Sequence, residues 1–245
     1  MHAELQCLAA DAAVPRYLTQ TYWWAYVHPR AVHLFERQWL VNLILWGNFN
    51  RLRDAAIGAL GSDLAGRTLQ VACVYGDLTH RIAARLTHGA QLHVVDVLRI
   101  QLDNLARKLP GGLLGRHGRN GPKQPPVELI QGDSAALEFA SSSYDRALLF
   151  FLLHEQPEEV RRDTLAEALR VVKPGGQIVI VDYHRPHRLN PLYWPMTGVL
   201  RTLEPYALDL WRNEVASWFP CGARLAALRK RTFFGGLYQL ISITV

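Results

Sequence analysis

Tyr75, Asp96, Asp133, His154 and Asp182 are polar side chains that each follow an apolar run, the arrangement in which strand ends deliver chemistry to one place. Asp96 closes the run LHVVD, about 20 residues beyond Gly76, where a βαβ nucleotide-binding unit sets a carboxylate to accept hydrogen bonds from two ribose hydroxyls. Its plainer reading is a generic α/β crossover in which Asp96 caps a loop. The turn ahead of it, Cys73-Val74-Tyr75-Gly76, keeps one glycine where a dinucleotide fingerprint has two or three. A pyrophosphate therefore fits poorly there, and a ligand without phosphate fits better.

The elements that must position these groups alternate. Leu69–Val74 reads as a strand, and a helix follows with Leu78, Ile82, Ala83 and Leu86 on one face. LHVVD is the second strand, Arg99–Leu109 a helix, and Val127–Gln131 the third strand, running into Gly132-Asp133-Ser134. Tyr144–Leu153 is too apolar for a half-exposed strand and reads as buried on both faces. Glu158–Val172 is an amphipathic helix with Val160, Leu165, Leu169 and Val172 inward, and Lys173-Pro174-Gly175-Gly176 turns it into the fifth strand, QIVIVDY. This alternation is that of a doubly wound parallel α/β sheet, whose ligands lie outside the carboxyl ends of the strands.

Two apolar segments flank this frame. Upstream, Val32, Phe35, Trp39, Leu43 and Trp46 form a helical stripe, and Tyr22, Trp23, Trp24 and Tyr26 add interface-seeking rings. Such a segment either closes the core as a lid or meets a membrane surface or an apolar ligand. Residues 186–220 form a second insertion rich in Trp, Tyr, Leu and Pro, and Ala223–Val245 reads as a closing antiparallel pair joined near Gly235-Gly236. The expected organisation is a helical lid over residues 1–60 and a ligand-binding domain over 61–245.

The 245 residues carry a formal charge of +6, with basic spots at Arg116–Lys123 and Arg224–Arg231. No stacking-plus-basic pattern accompanies them, which argues against nucleic acid and leaves an anionic membrane surface as the partner such charge fits. An odd count of 3 cysteines without metal-type spacing points to a reducing compartment. The amino-terminal run has acids and no basic region, so it does not read as a secretory signal, and no stretch is apolar for long enough to span a bilayer.

The runs LQVACVYGDLT, VVD, QGDSAAL, FFLLHEQP, RVVKPGGQIVIVDY and FFGGLYQLI resemble class I methyltransferases that bind S-adenosylmethionine, in particular the ubiquinone/menaquinone C-methylation enzymes. Gln70 stands where that family carries an acid, and Cys73 and Val74 where it carries glycines. With TYWWAYVHPRAVHLFERQWLVNLILWGNF upstream, residues 16–245 are similar to the rhodoquinone biosynthesis family RquA. The resemblance implies a mostly parallel seven-stranded sheet, S-adenosylmethionine with manganese, and replacement of a ubiquinone methoxy group by an amino group. It also implies a cytoplasmic protein held peripherally on the inner (plasma) membrane. Donor-binding positions by this resemblance are Val71, Gly76, Asp77, Asp96, Val97, Asp133 and Ser134. Gln70, Tyr75 and His154 are the catalytic candidates.

An acid at position 70 would keep the donor's α-ammonium group charged; a neutral Gln70 lets its pKa fall and frees a lone pair to attack an electrophilic quinone ring. If Gln70 is only a tolerated swap, methyl transfer to a quinone survives. A catalytically silent, donor-binding scaffold of a quinone-biosynthetic assembly is the remaining alternative. Asp182, His184 and Glu155, with His154 and His187 near them, are mixed oxygen and imidazole donors of the kind manganese accepts. A metal there would polarise the quinone oxygens.

Overall fold

The computed structural model describes residues 14–21, 38–114, 126–223 and 225–245. The aromatic cluster Tyr22–Tyr26, the stripe positions Val32 and Phe35, and most of the Arg/Gly/Pro-rich loop after Leu114 lie outside the described residues. Among the described residues the helices are α1 (Arg16–Thr21), α2 (Gln38–Ile44), α3 (Phe49–Leu60), α4 (Leu78–Ala83), α5 (Arg99–Lys108), α6 (Glu158–Val171), α7 (Tyr193–Leu203) and α8 (Asp209–Arg212). The strands are β1 (Arg67–Val71), β2 (Gln91–Asp96), β3 (Val127–Gln131), β4 (Tyr144–Phe150), β5 (Val172–Tyr183), β6 (Ala227–Phe233) and β7 (Tyr238–Thr244).

The strands form one 7-stranded sheet in the order β3-β2-β1-β4-β5-β7-β6. β1 to β5 are parallel, and β7 runs antiparallel between β5 and β6. The chain winds outward from β1 to β3, then returns to β4 on the other side, so the order reverses between β1 and β4. A crevice opens at such a switch point. The central strands are buried on both faces because helices cover them: α3 packs on β4, β5 and β7, α5 on β2 and β3, and α6 on β5. Phe49, Leu52, Ala56, Ile57 and Leu60 give α3 a continuous inner face, so the segment up to residue 60 contributes to the main core.

Three local departures from the periodicity matter for the site. The expected long upstream helix is broken at Trp46 (φ 51°) and Gly47 (φ 76°), which turns α2 away from α3. Trp39 and Leu43, expected in one stripe, are 60% and 64% exposed. Lys173-Pro174-Gly175-Gly176 is an irregularity within β5 rather than a turn before it: Val172 already pairs with Tyr144, and pairing resumes at Gln177 with Arg146. β4 ends at Phe150 rather than Leu153, since Phe151 takes φ 53° and a 3-10 turn, Leu153–Glu155, follows.

Candidate functional site

Each strand end is shaped by what its carbonyl and amide groups meet. At the end of β1, Ala72 adopts φ 72° and its N–H bonds Val95 O at 2.7 Å, which swings Cys73 N to 2.7 Å from Asp96 Oδ2. Asp96 Oδ1 accepts from Leu98 N at 2.8 Å. Burial pushes the Asp96 carboxyl up to about 6, against the pull of those two amides. Gly76 takes φ 86°, and a Cβ there would lie 2.9 Å from Phe49 Cζ, so the tight turn and the packing of α3 both require glycine.

At the ends of β4 and β5 a second carboxylate does the positioning. Asp182 is fully buried; its Oδ2 accepts from Leu153 N (2.8 Å) and His154 N (3.3 Å), and its Oδ1 from Tyr183 N (2.7 Å). These bonds replace the strand ladder that β4 abandons, and they bring His154 Nδ1 within 3.0 Å of Asp182 Oδ1. Burial opposes a charged imidazole, but Asp182 outweighs it and raises His154 to about 9. Arg161 holds the same turn from behind: fully buried, it donates to Leu153 O (2.9 Å), Gln156 O (2.8 Å) and, in the insertion, Tyr206 O (3.1 Å), and its guanidinium lies 4.3 Å from the centre of the Trp218 ring.

These ends open into a cavity of about 740 Å³. One wall is polar and formed by the strand ends, with Ala72 to Tyr75, Asp96 to Leu98, Gly132 to Ser134, His154 and Glu155. The other is apolar, with Leu40, Val41 and Leu43 to Trp46 facing Met196, Val199, Leu200 and Leu203. Trp46 Nε1 lies 3.2 Å from Met196 Sδ, so α2 and the insertion helix α7 meet over the strand ends. Tyr17 of α1 closes a further side: burial, then Glu155 and Asp133, push its phenol pKa up, while a hydrogen bond with Gln156 opposes them.

Of the sequence-derived positions, Tyr75, Asp96, Val97, Asp133, Ser134, His154 and Glu155 line this cavity. Tyr75 hydroxyl accepts from Gln101 Nε2 at 2.9 Å, Asp133 Oδ1 from Ala135 N at 2.9 Å, and Ser134 Oγ from Gln156 Nε2 at 3.0 Å. Gln70, Val71, Gly76, Asp77, Asp182 and His184 are absent from the lining. Gln70 is fully buried, donating to Ala72 O at 3.0 Å and accepting from Thr79 Oγ1 at 3.0 Å. Asp77 is paired with Arg53 and Arg81, at 2.7 and 2.5 Å.

The expected manganese set is corrected by the same geometry. Asp182 spends both oxygens on three amides and an imidazole, and His184 Nδ1 lies 2.7 Å from Gly236 O. Among the described residues no three His, Cys, Asp or Glu side chains form a group able to hold a metal ion. Asp182, His184 and Glu155 thus do not fit a common metal. Arg161, Gln156 and Tyr17 are the residues missed by sequence reasoning. Arg161 and Gln156 sit in a stretch indistinguishable from a solvated helix start, and nothing local marks Tyr17.

The strand order, the switch point and the strand-end cavity define a class I methyltransferase-like fold. A methyltransferase domain family matches residues 68–176, from β1 into β5. The chain is similar to a demethylmenaquinone methyltransferase of Bacillus licheniformis, 26% identical over 76% of this chain and 78% of that one. It is also similar to a ubiquinone/menaquinone biosynthesis C-methyltransferase UbiE of Ectopseudomonas mendocina, 28% identical over 62% of this chain and 55% of that one. Among solved structures, the N-methyltransferase NodS from Bradyrhizobium japonicum superimposes with a TM-score of 0.53 at 12% identity, over 80% of this chain and 97% of that one.

Proposed function

We propose that the chain is an S-adenosylmethionine-dependent transferase that modifies the ring of a lipid quinone. The observation that carries this reading is Asp96, a buried carboxylate at the carboxyl end of β2 that faces a cavity with one polar and one apolar wall. Asp96 would accept the two ribose hydroxyls, and Asp133 and Ser134 would flank the adenine. When bound, the donor supplies an electrophilic sulfonium-activated carbon and an α-amino group. The wall formed by α2 and α7 would take the acceptor, since Leu40, Val41, Met196 and Leu200 present hydrocarbon to it. If an amine attacks the oxidised ring, His154, held protonated by Asp182, would donate through Nε2 to the ring oxygen and stabilise the negative charge that builds there.

Of the two groups that could be transferred, methyl has the better support. Relatives named as quinone methyltransferases favour methyl transfer. Amino transfer, the rhodoquinone-forming reaction, is favoured by Gln70, because the end of β1 offers no carboxylate to keep an ammonium charged and the Gln70 amide is committed to Ala72 and Thr79. Purified protein is incubated with the donor and either a short-tailed ubiquinone or the reduced, quinol form of its ring-demethylated analogue, and product masses are read by chromatography. A methylated product supports the first reading, and an amino group in place of methoxy supports the second. Tight donor binding with no product from either acceptor would return the chain to a silent scaffold.

The apolar wall continues outward. Trp39, Leu43, Ile44 and Trp46 of the α2 region, and Trp194, Val199 and Leu203 of α7, are exposed large hydrophobic side chains. No helix among the described residues is long and apolar enough to cross a membrane. We read this rim as the face that rests on the cytoplasmic surface of a bilayer, where a quinone ring can pass into the cavity while its tail stays in lipid.

A further inference from the structure

On the other side of α3, away from the cavity, a groove of about 650 Å³ runs between this helix and the β6–β7 edge, and it shares no lining residue with the cavity. Arg229 and Arg231 alternate along β6 with Lys230, so both present to the groove while Lys230 pairs with Glu214 at 2.5 Å. Phe233 continues their face, and Arg51 reaches across from α3. The Arg51 and Arg231 guanidiniums lie 5.4 and 5.1 Å from the centre of the Phe233 ring. Three guanidiniums are thus gathered round one cleft, two of them fixed on a single buried ring.

Their charge is not answered from within. None of the Arg51, Arg229 and Arg231 side chains makes an ion pair with a described residue. Asp54, the one carboxylate in the lining, is held 2.8 Å from Arg53 Nε. Arg51 and Arg231 share one ring, so they repel at a range that salt screens only in part. Arg53, Arg81, Arg99, Arg162 and Arg170 meet carboxylates, whereas Arg51, Arg229 and Arg231 converge on one cleft without meeting one. Planar guanidiniums bind phosphate through paired N–H donors, and a cluster of them suits such a ligand.

We infer that the α3/β6 groove is a binding site for a phosphate-bearing anion, with Arg51, Arg229 and Arg231 as its ligands. The site gives the +6 chain a directed contact for phosphate, separate from the cavity where the proposed chemistry takes place. It does not depend on which group that chemistry transfers.

The test uses the full chain, the double variant R229A/R231A at two exposed positions, and R229A alone, which leaves the cover of Phe233 in place; melting temperatures confirm that each variant is folded. Binding is measured by calorimetry with inorganic pyrophosphate, and by co-sedimentation with vesicles of phosphatidylglycerol and phosphatidylcholine at several salt concentrations. Pyrophosphate binding that the double variant loses assigns a soluble phosphate ligand. Salt-sensitive binding to the anionic vesicles only, reduced roughly tenfold or more in the double variant, assigns a lipid headgroup. R51A, on the other wall, weakens whichever binding is found. Both probes failing to bind, or both binding equally well to the variant, overturns the site. Donor affinity is followed in parallel and stays unchanged in all variants, so failure of the groove is distinguishable from failure of the cavity.

Discussion

Asp96 accepts two backbone amides and still titrates near 6, because burial outweighs both bonds. Its proposed role as a ribose acceptor is best served by the ionised form, so donor affinity is expected to fall as pH drops through about 6, while Asp96→Ala is expected to weaken binding by roughly 1–3 kcal/mol at neutral pH. Calorimetry at pH 5 and 7.5 checks both, and unchanged affinity in the variant removes the ribose assignment. His154 runs the opposite way. Its folded value, about 9, exceeds the ordinary 6.5, so the stability it supplies is whole below about 6.5 and is lost as pH climbs through about 9. The melting temperature is expected to fall across that window, and His154→Gln should flatten the slope. A variant that keeps the wild-type slope would show that the Asp182 pair is not what holds the proton.

The turn after β1 is where local geometry and packing coincide. Gly76 and Gly89 both have positive φ, at 86° and 80°, but only a Cβ at Gly76 meets a neighbour, Phe49 Cζ at 2.9 Å. Gly89→Ala therefore reports backbone strain alone, on the order of 1 kcal/mol, and Gly76→Ala adds displacement of a fully buried ring. Gly76→Ala is expected to lower the melting temperature by several degrees more than Gly89→Ala does. Equal losses would mean that Phe49 yields freely and does not fix the turn. The alternation of strands and helices was legible because the apolar runs are long and punctuated by Gly and Pro. The end of β4 was not: LLFFLLHE is uniformly apolar up to His154, and the strand stops only because Asp182, a partner 29 positions from Leu153, takes the amides of the next turn.

At the scale of the whole molecule, the rim on α2 and α7 joins the cavity to whatever lies outside it. Trp39 and Trp194 are 60% and 76% exposed, and burying an aromatic side chain contributes about 1.5–3 kcal/mol, so two or three such rings suffice for reversible attachment to lipid. Trp39→Ala with Trp194→Ala is expected to reduce binding to neutral vesicles and to raise KM for long-tailed quinones more than for tail-less ones. Equal loss for both substrates would instead make these residues supports of the lid.

The sequence alone determined the parallel sheet, the single-glycine turn, and the placement of Tyr75, Asp96, Asp133 and His154 at strand ends. Each of these follows from local periodicity and from the rule that apolar runs end where polar groups can find partners. Only the tertiary structure decided how those polar groups are spent. Asp182 and Gln70 look as available in the sequence as Asp96, but packing turns the first into an amide acceptor and a clamp on His154, and seals the second against Thr79. The same holds for the arginines: Arg161 is buried as the anchor of the His154 turn, while Arg51 and Arg231, distant in the chain, meet over Phe233. Which charge is satisfied and which is left to meet a ligand depends on neighbours distant in the chain, and no spacing within a segment encodes it.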